Sequence, residues 1–401
     1  MKHKLRMLLI LLVGLSAVGI TSAQSDLPET PLVILANNSL YAWTPEQADP
    51  TMLTMNSFTL PPVVSPYSTE IAYTTFAPLT IDAIQRTGGI GGGALPSDIW
   101  VMNPTTRQLR EIAGQPENAS FFTEGVDDYA ISRSVPAWSW DGMKLAFAEH
   151  IYPSHENQLA LYDFATNSAR IVYRDFPEQA AVAGPMVVKW VGAFMVVHSI
   201  STDIDYSDRQ AFYVFSADGA LIRTINLPTG YPMLRYEAVQ QGDRYFIGVQ
   251  SNDGEWILFE PLHGTQAQVN GYVEMYAWPA PETSLALEPR YDESGTPIWQ
   301  AYDAAGQIVD RFSTARYFPA ERITLSPDGQ TVAYSEHNAE TRVFENVVRV
   351  VRGTAGANVP DVSDNPFVSS VAWGPMAWRT RVGATAAPPN APILSDYAPL
   401  P

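Results

Sequence analysis

An all-β array of repeated antiparallel sheets is the fold class this sequence predicts, on three observations. The stretch Ser134–His150, SVPAWSWDGMKLAFAEH, returns far downstream at Ile323–His337 as ITLSPDGQTVAYSEH, with six of fifteen aligned positions identical. Each copy reads as an apolar run, a tight Asp-Gly turn and a second apolar run. This is a hairpin, in which Asp141-Gly142 and Asp328-Gly329 are expected to supply positive backbone angles. Short runs of Val, Ile, Tyr, Phe and Trp, separated by Gly, Pro, Asn and Asp, recur along the chain, and beyond the N-terminal segment none sustains a helical apolar period. The 32 prolines fall mainly between those runs, where a missing N–H harms no ladder. A hairpin cannot bury its own faces, so recurring hairpins must stack on one another.

The chain begins with Lys2, Lys4 and Arg6, an uncharged run of 14 residues from Met7 to Ile20, and small residues Thr21-Ser22-Ala23. A membrane-spanning helix needs roughly 20 apolar residues, so residues 1–23 read as a secretory signal peptide rather than an anchor, cut after Ala23. The mature chain, 378 of the 401 residues, is therefore expected to be exported, to a periplasm or the extracellular space. It has no cysteine, which excludes disulfides, a lipidated cysteine and a thiolate nucleophile and leaves stability to core burial.

The full chain carries 24 basic and 42 acidic side chains, a net charge of −18; loss of the three signal cations takes the mature form to −21. Such a surface repels phosphate backbones and anionic head groups, so neither nucleic acid nor membrane insertion after signal removal is expected.

Two kinds of hairpin alternate. The first kind recurs at Val63–Phe76, Ser134–His150, Met186–Ile200, Tyr236–Gln250, Tyr272–Leu287, Ile323–Glu336 and Ser369–Arg381. The second kind, a strand with a short polar turn and a return strand, follows at Asp98–Ile112, Gln158–Tyr173, Ala211–Ile225, Trp256–Val269, Ile298–Phe312 and Val347–Val359. A four-stranded antiparallel sheet per pair, repeated about every 40 to 50 residues, is the pattern of a β-propeller. Leu40–Thr54 is a second-kind hairpin without a forerunner and Ser369–Arg381 a first-kind hairpin without a follower, so the two termini are expected to complete one blade, closing the ring and hiding two edges. This predicts one β-propeller domain over residues 24–382, of seven blades, with six as the alternative. Residues 383–401, GATAAPPNAPILSDYAPLP, read as an Ala/Pro-rich disordered tail.

The strings AWSWDGMKLAF, SPDGQTVAY and DIWVMNPTTRQL resemble the WD-like repeats of TolB-type β-propellers. The resemblance implies the fold across nearly the whole mature chain and is a match of repeats rather than of functional motifs. Peptidases of the prolyl oligopeptidase type use similar propellers with a hydrolase domain bearing a Gly-x-Ser-x-Gly elbow, and this sequence has no such elbow outside its repeats.

Chemistry is expected where long connections gather at one mouth. The longest connections are Ala77–Ser97, with the glycine run Thr87–Gly93, and Ala113–Arg133, with Glu117, Glu124, Asp127 and Asp128. The glycine run lacks the helix start or Lys-Ser/Thr that completes a phosphate cradle and reads as a mobile loop. Glu149-His150 and Glu336-His337 end equivalent strands, with His155 in the loop after the first. Imidazole beside carboxylate suits a metal or acid–base work, but neighbours on a strand face opposite ways. Asp203, Asp205 and Asp208, with Ser207, are calcium candidates lacking the glycine and distal Glu of an EF loop. Trp138, Trp140, Trp190, Trp278, Trp299, Trp373 and Trp378 sit at repeat positions and are expected in the core. With no catalytic set assigned, the sequence points to a binding or scaffold protein, monomeric, that recognises a protein, peptide or glycan at one mouth without a cofactor, calcium excepted. A metal-assisted polysaccharide lyase or glycoside hydrolase on the same face is the alternative, and a module displaying its Pro-rich tail a third.

Overall fold

The computed structural model describes residues 31–44, 47–54, 60–66, 68–90, 95–176, 186–202, 208–228, 233–241, 244–251 and 256–266, and then the strands with a few adjoining residues between 272 and 381. The signal-like segment 1–23, the tail 383–401 and the Asp328-Gly329 turn lie outside the described residues.

β1 (Leu32–Ala36), β2 (Ser39–Trp43) and β3 (Thr51–Met52) form three strands of the first sheet. Asn37 and Asn38 join the first two at φ 49° and 61°, the left-handed pair that a two-residue hairpin of this twist requires and that Asn tolerates. The second sheet is β4 (Val63–Val64), β5 (Ile71–Phe76), β6 (Ser97–Met102) and β7 (Leu109–Ala113), with helix α1 (Pro78–Thr87) between β5 and β6. In the third, β8 (Ala130–Arg133) and β9 (Ala137–Trp138) both pair with β10 (Lys144–Tyr152), and β11 (Asn157–Asp163) and β12 (Ser168–Tyr173) follow. The fourth is β13 (Val187–Val191), β14 (Phe194–Thr202), β15 (Asp208–Phe215) and β16 (Leu221–Asn226).

Next come β17 (Met233–Gln241), β18 (Arg244–Ser251) and β19 (Trp256–Phe259), then β20 (Tyr272–Ala277), β21 (Ala286–Tyr291), β22 (Pro297–Tyr302) and β23 (Ile308–Ser313). A further sheet holds β24 (Ile323–Leu325), β25 (Val332–His337), β26 (Asn346–Arg352) and β27 (Ala355–Asn358), before β28 (Val368–Ala372) and β29 (Met376–Arg381) end the described chain.

The molecule is a single all-β propeller of small antiparallel sheets, and among the described residues the strand pairs fall where the repeats predict them except at Ser369–Arg381, whose two strands do not pair with each other. The termini meet, since β28 pairs antiparallel with β1 from Val33↔Ala372 to Ala36↔Val368. The shared sheet runs β28-β1-β2-β3, so the N-terminal side gives three strands and the C-terminal side one, not two and two. The blade count differs from expectation too: five blades stand as separate sheets, rather than seven or six. The cause is β29, which leaves β28 and lies between β17 and β20, in register with Glu274, Met275 and Tyr276 on one side and parallel to Val239 and Gln240 on the other. It joins β17–β19 and β20–β23 into one eight-stranded sheet and covers a strand edge on each side.

Side chains between neighbouring sheets form the core. Leu35, Leu40, Ile71 and Tyr73 fill the first contact, Ile99, Val101, Leu145 and Phe147 the second, and Leu159, Leu161, Val188 and Met195 the third. Phe212, Val214, Ile247 and Val249 continue the series, and Leu32, Ile34, Val348 and Val350 bring it back to the first sheet. Among the described side chains, hydrophobic burial thus passes from sheet to sheet, each packed on the next; those of β20–β23 lie outside the described residues.

A hydrogen bond recurs at these contacts. Trp138 Nε1 donates to the Val63 carbonyl at 3.1 Å, Trp190 Nε1 to the Ala137 carbonyl at 3.1 Å, and the Tyr236 hydroxyl to the Val187 carbonyl at 2.9 Å. In each case an aromatic on one blade satisfies a backbone acceptor on the blade before it. Trp138, Trp190 and Trp373 are buried, as expected, and Trp140 is half-buried; the side chains of Trp278, Trp299 and Trp378 lie outside the described residues.

Two local expectations change. Gly142 takes a left-handed φ of 65°, but Asp141 does not; its carboxylate instead accepts from Ser139 Oγ at 2.6 Å and from the Met143 amide at 3.0 Å. The connection Ala77–Ser97 holds a helix where no helical period is expected; of the glycine run read as a mobile loop, Gly91–Gly93 lie outside the described residues. Pro78 starts α1, where its lost N–H costs nothing, and Gly88 (φ 76°) ends it, its amide returning to the Ile84 carbonyl at 2.9 Å. Only Thr80 and Ala83 of its ten residues are buried, too narrow a stripe to register as a helical period. Among the described residues no helix is long and apolar enough to cross a membrane.

Candidate functional site

Both long connections reach the same face. The β5–β6 connection carries α1, and the β7–β8 connection folds over residues 120–129 into a small hairpin. Ser120 and Tyr129 exchange backbone hydrogen bonds of 2.8 and 2.9 Å, and the Val126 amide closes a turn on the Thr123 carbonyl at 3.1 Å. Gly125, third in that turn, sits at φ 74°, where a type II turn places a glycine.

The hairpin is fastened to α1. Ala83, Phe121 and Ala130 are buried together, with Leu79, Ile90 and Leu95 against them. Arg86, on the last turn of α1, donates to the Phe122 carbonyl at 2.9 Å and to the Phe121 carbonyl at 3.5 Å. From the other side Asp128 Oδ1 accepts the Phe122 amide at 2.7 Å. Phe122 is thereby held at φ 51°, a left-handed conformation unfavourable for a bulky residue. Phe121 turns inward, edge-on to the Phe122 ring at 4.8 Å and 5.9 Å from the Tyr152 ring. Outward, Phe122 (49 %), Val126 (53 %) and Tyr129 (38 %) keep large fractions of their surface in solvent.

Beneath this hairpin a buried polar network ties two blades together. Arg133 Nε donates to Glu149 Oε1 at 2.8 Å, its Nη atoms reach the Ser97 and Gly114 carbonyls at 2.7 and 2.9 Å, and Asp98 lies 3.6 Å away. Gln158 donates to Glu149 Oε2 at 2.6 Å, so both Glu149 oxygens are engaged. Gln115 donates to Asp98 at 3.1 Å and to the Ser97 and Ile131 carbonyls, while accepting the Ile131 amide. Burial pushes the Asp98 carboxyl up from its ordinary value, against the pull of Gln115 and Arg133.

His150 faces away from Glu149, as alternation on a strand requires. It is buried, with Nδ1 3.1 Å from Asn157 Oδ1 and Nε2 3.3 Å from His155 Nδ1. An Asn oxygen can only accept, so His150 carries its proton on Nδ1 and accepts from His155 through Nε2. Burial lowers the His150 pKa, the Asn157 bond opposing this and His155 adding to it. Tyr152 stands edge-on to His150 at 5.1 Å, and burial with the charge of Asp128 raises its pKa. The imidazole pair and the hairpin thus share one mouth, with Tyr152 and Phe121 between them.

Of the residues singled out in the sequence, Glu149, His150, His155 and Asp128 lie in this region, with Glu124 and Asp127 exposed on the hairpin. Glu336 and His337 end β25 in the register that Glu149 and His150 have in β10: His150↔Asn157 is matched by His337↔Asn346. Their side chains, like that of Asp208, lie outside the described residues, as do Asp203 and Asp205 altogether. Among the described residues no three His, Cys, Asp or Glu side chains gather in a cluster able to hold a metal ion. Sequence reading did not single out Arg86, Phe122, Val126 and Tyr129; the signals were Pro78 at the head of the ten-residue polar-apolar stretch Pro78–Thr87 and the Glu124-Gly125 pair between two apolar runs.

The strand layout makes the chain a β-propeller, similar in fold to TolB and other propeller proteins. No family model matches the sequence, and no curated protein matches it. Similar solved structures include TolB from Acinetobacter baumannii, at 15% identity over 88% of this chain and 69% of that one, with a TM-score of 0.38. An acylaminoacyl peptidase in complex with a chloromethyl ketone is 13% identical over 75% of this chain and 45% of its own length, with a TM-score of 0.45. An oligogalacturonate lyase in complex with manganese is 11% identical over 74% and 79%, with a TM-score of 0.39. This chain spans less than half of the peptidase, and these likenesses extend to the fold alone.

Proposed function

We propose that this protein is an exported, non-catalytic propeller that holds a protein, peptide or glycan partner at the mouth carrying α1 and the 120–129 hairpin. The observation that carries this reading is the set of three large apolar side chains, Phe122, Val126 and Tyr129, kept in solvent on a hairpin clamped by Arg86 and Asp128. Other large apolar side chains are exposed elsewhere, Met143 and Leu221 among them, but these three fall within eight residues of one hairpin, and the clamp on the Phe122 backbone lowers the ordering cost of binding. Export rests on the signal-like residues 1–23. The test is a screen of the mature chain against a glycan array and the organism's own exoproteome, with calcium and with chelator, repeated with the 120–129 hairpin replaced by a short Gly-Ser turn. A partner lost with the hairpin supports the reading; partners that all survive its replacement overturn it.

The second reading, a metal-assisted polysaccharide lyase or glycoside hydrolase, has the contact between His150 and His155 in its favour. Metal analysis of the purified protein, followed by a joint change of His150 and His337 to Ala, tests it: no bound metal and no altered activity removes it.

A further inference from the structure

We infer that the 120–129 hairpin receives a basic peptide segment bearing an aliphatic side chain, with Phe122 as its anchor. This rests on the reading of that mouth as a binding face and adds the chemistry of the partner.

Two independent features select that chemistry. The first is the exposed apolar trio Phe122, Val126 and Tyr129. The Phe122 backbone is held on both sides, the carbonyl by Arg86 and the amide by Asp128, and its ring rests edge-on to Phe121 at 4.8 Å. A rigid exposed aromatic loses little entropy when a partner covers it, which is the property of binding anchors. The second is charge. Asp82 on α1, Glu117, Glu124, Asp127 and Asp128 in the β7–β8 connection and Glu156 beside His155 are all acidic, and all but the half-buried Asp128 are exposed. Over the same segments the cations are Arg86, exposed beside Phe122 with its guanidinium on two backbone carbonyls, and Arg133, buried against Glu149, so the exposed carboxylates outnumber the exposed cation five to one. An excess of carboxylates on the connections that carry an apolar anchor attracts Lys and Arg and repels acidic segments, and the Phe122 and Tyr129 rings add cation–π attraction. An acidic glycan is repelled by the same field. A peptide that alternates cations with aliphatic side chains satisfies both features.

The probe is a short fluorescein-labelled peptide alternating Lys and Leu, compared with one carrying Glu for Lys and one carrying Ser for Leu, read by fluorescence anisotropy against the full mature chain. Glycine is at home at the left-handed backbone of residue 122, so Phe122→Gly removes the ring while keeping the fold, which circular dichroism and the melting midpoint verify. The Lys-Leu peptide is expected to bind at least about tenfold more tightly than either control, and Phe122→Gly to weaken it by about tenfold or more. Glu124→Gln with Asp127→Asn is expected to weaken it and flatten its salt dependence.

Equal binding of the Lys-Leu and Lys-Ser peptides, or binding indifferent to Phe122→Gly, would show bulk charge alone and overturn the inference. So would absence of binding by all three. A glycan or neutral protein that is lost with the hairpin in the broader screen overturns this inference while leaving the binding face standing, whereas partners indifferent to the hairpin overturn both.

Discussion

His198 sits in the middle of β14, 7 % exposed, with Nε2 3.1 Å from Gln210 Oε1 and its ring beside Phe212 and Tyr236. Burial lowers its pKa to about 4, with the Gln210 bond opposing. Its ordinary value near 6.5 holds in the unfolded chain, so between those limits the unfolded state binds the extra proton. The stabilisation is complete above about pH 6.5, is lost as pH falls toward 4 and levels off below. For a single group with these constants the loss between pH 7.5 and 4.5 is about 2.5 kcal/mol, an order-of-magnitude figure. Carboxylates also titrate in this range, so the clean measurement is a difference. Urea unfolding at both pH values, for the native chain and for His198→Gln, gives it directly. Gln keeps an amide opposite Gln210 and removes the titration. The variant is less stable at pH 7.5, because Phe212 and Tyr236 lose a packing partner, but it should lose about 2.5 kcal/mol less than the native chain on acidification. Parallel pH profiles for the two proteins would refute the account, since they would mean that His198 is accessible to protons in the fold.

Removing Arg133 by Arg133→Met is expected to cost about 3 to 5 kcal/mol, because Glu149 and Asp98 remain as buried carboxylates without their cation; a loss below about 1 kcal/mol would show that water already reaches the network. Trp190→Phe should cost about 1 to 2 kcal/mol by leaving the Ala137 carbonyl without its donor, as measured by denaturant unfolding with unchanged m-value. Deleting residues 24–56 removes β1–β3 and strips β28 of its partner, so the whole domain should melt earlier in a single transition; an unchanged melting curve would refute closure through the first sheet.

How much of this was legible in advance depended on the range of the interaction. Asp141-Gly142 announced its hairpin because the turn is settled by a few adjacent residues, although Asp141 does its part through its carboxylate and not its backbone angle. The strands of the repeats were legible because alternating apolar runs between turn residues have one economical solution. Helix α1 was missed because two buried residues in ten leave no stripe, and the anchor Phe122 was missed because its exposure and its left-handed backbone are imposed by Arg86, 36 residues earlier in the chain. The opposite directions of Glu149 and His150 followed from strand alternation, but the capture of Glu149 by Arg133 and Gln158 did not.

By itself the sequence determined the all-β class, the hairpin repeat and the meeting of the two termini, since each follows from local turn chemistry, the period of apolar residues and the need to bury sheet faces. Only the tertiary structure decided which edges paired. Strand edges are chemically alike, so nothing local tells β29 to leave β28 for the gap between β17 and β20, or makes five separate blades out of a pattern that counts to seven. The same holds for the mouth, where an arginine from one connection and an aspartate from another fix a phenylalanine that neither would hold alone.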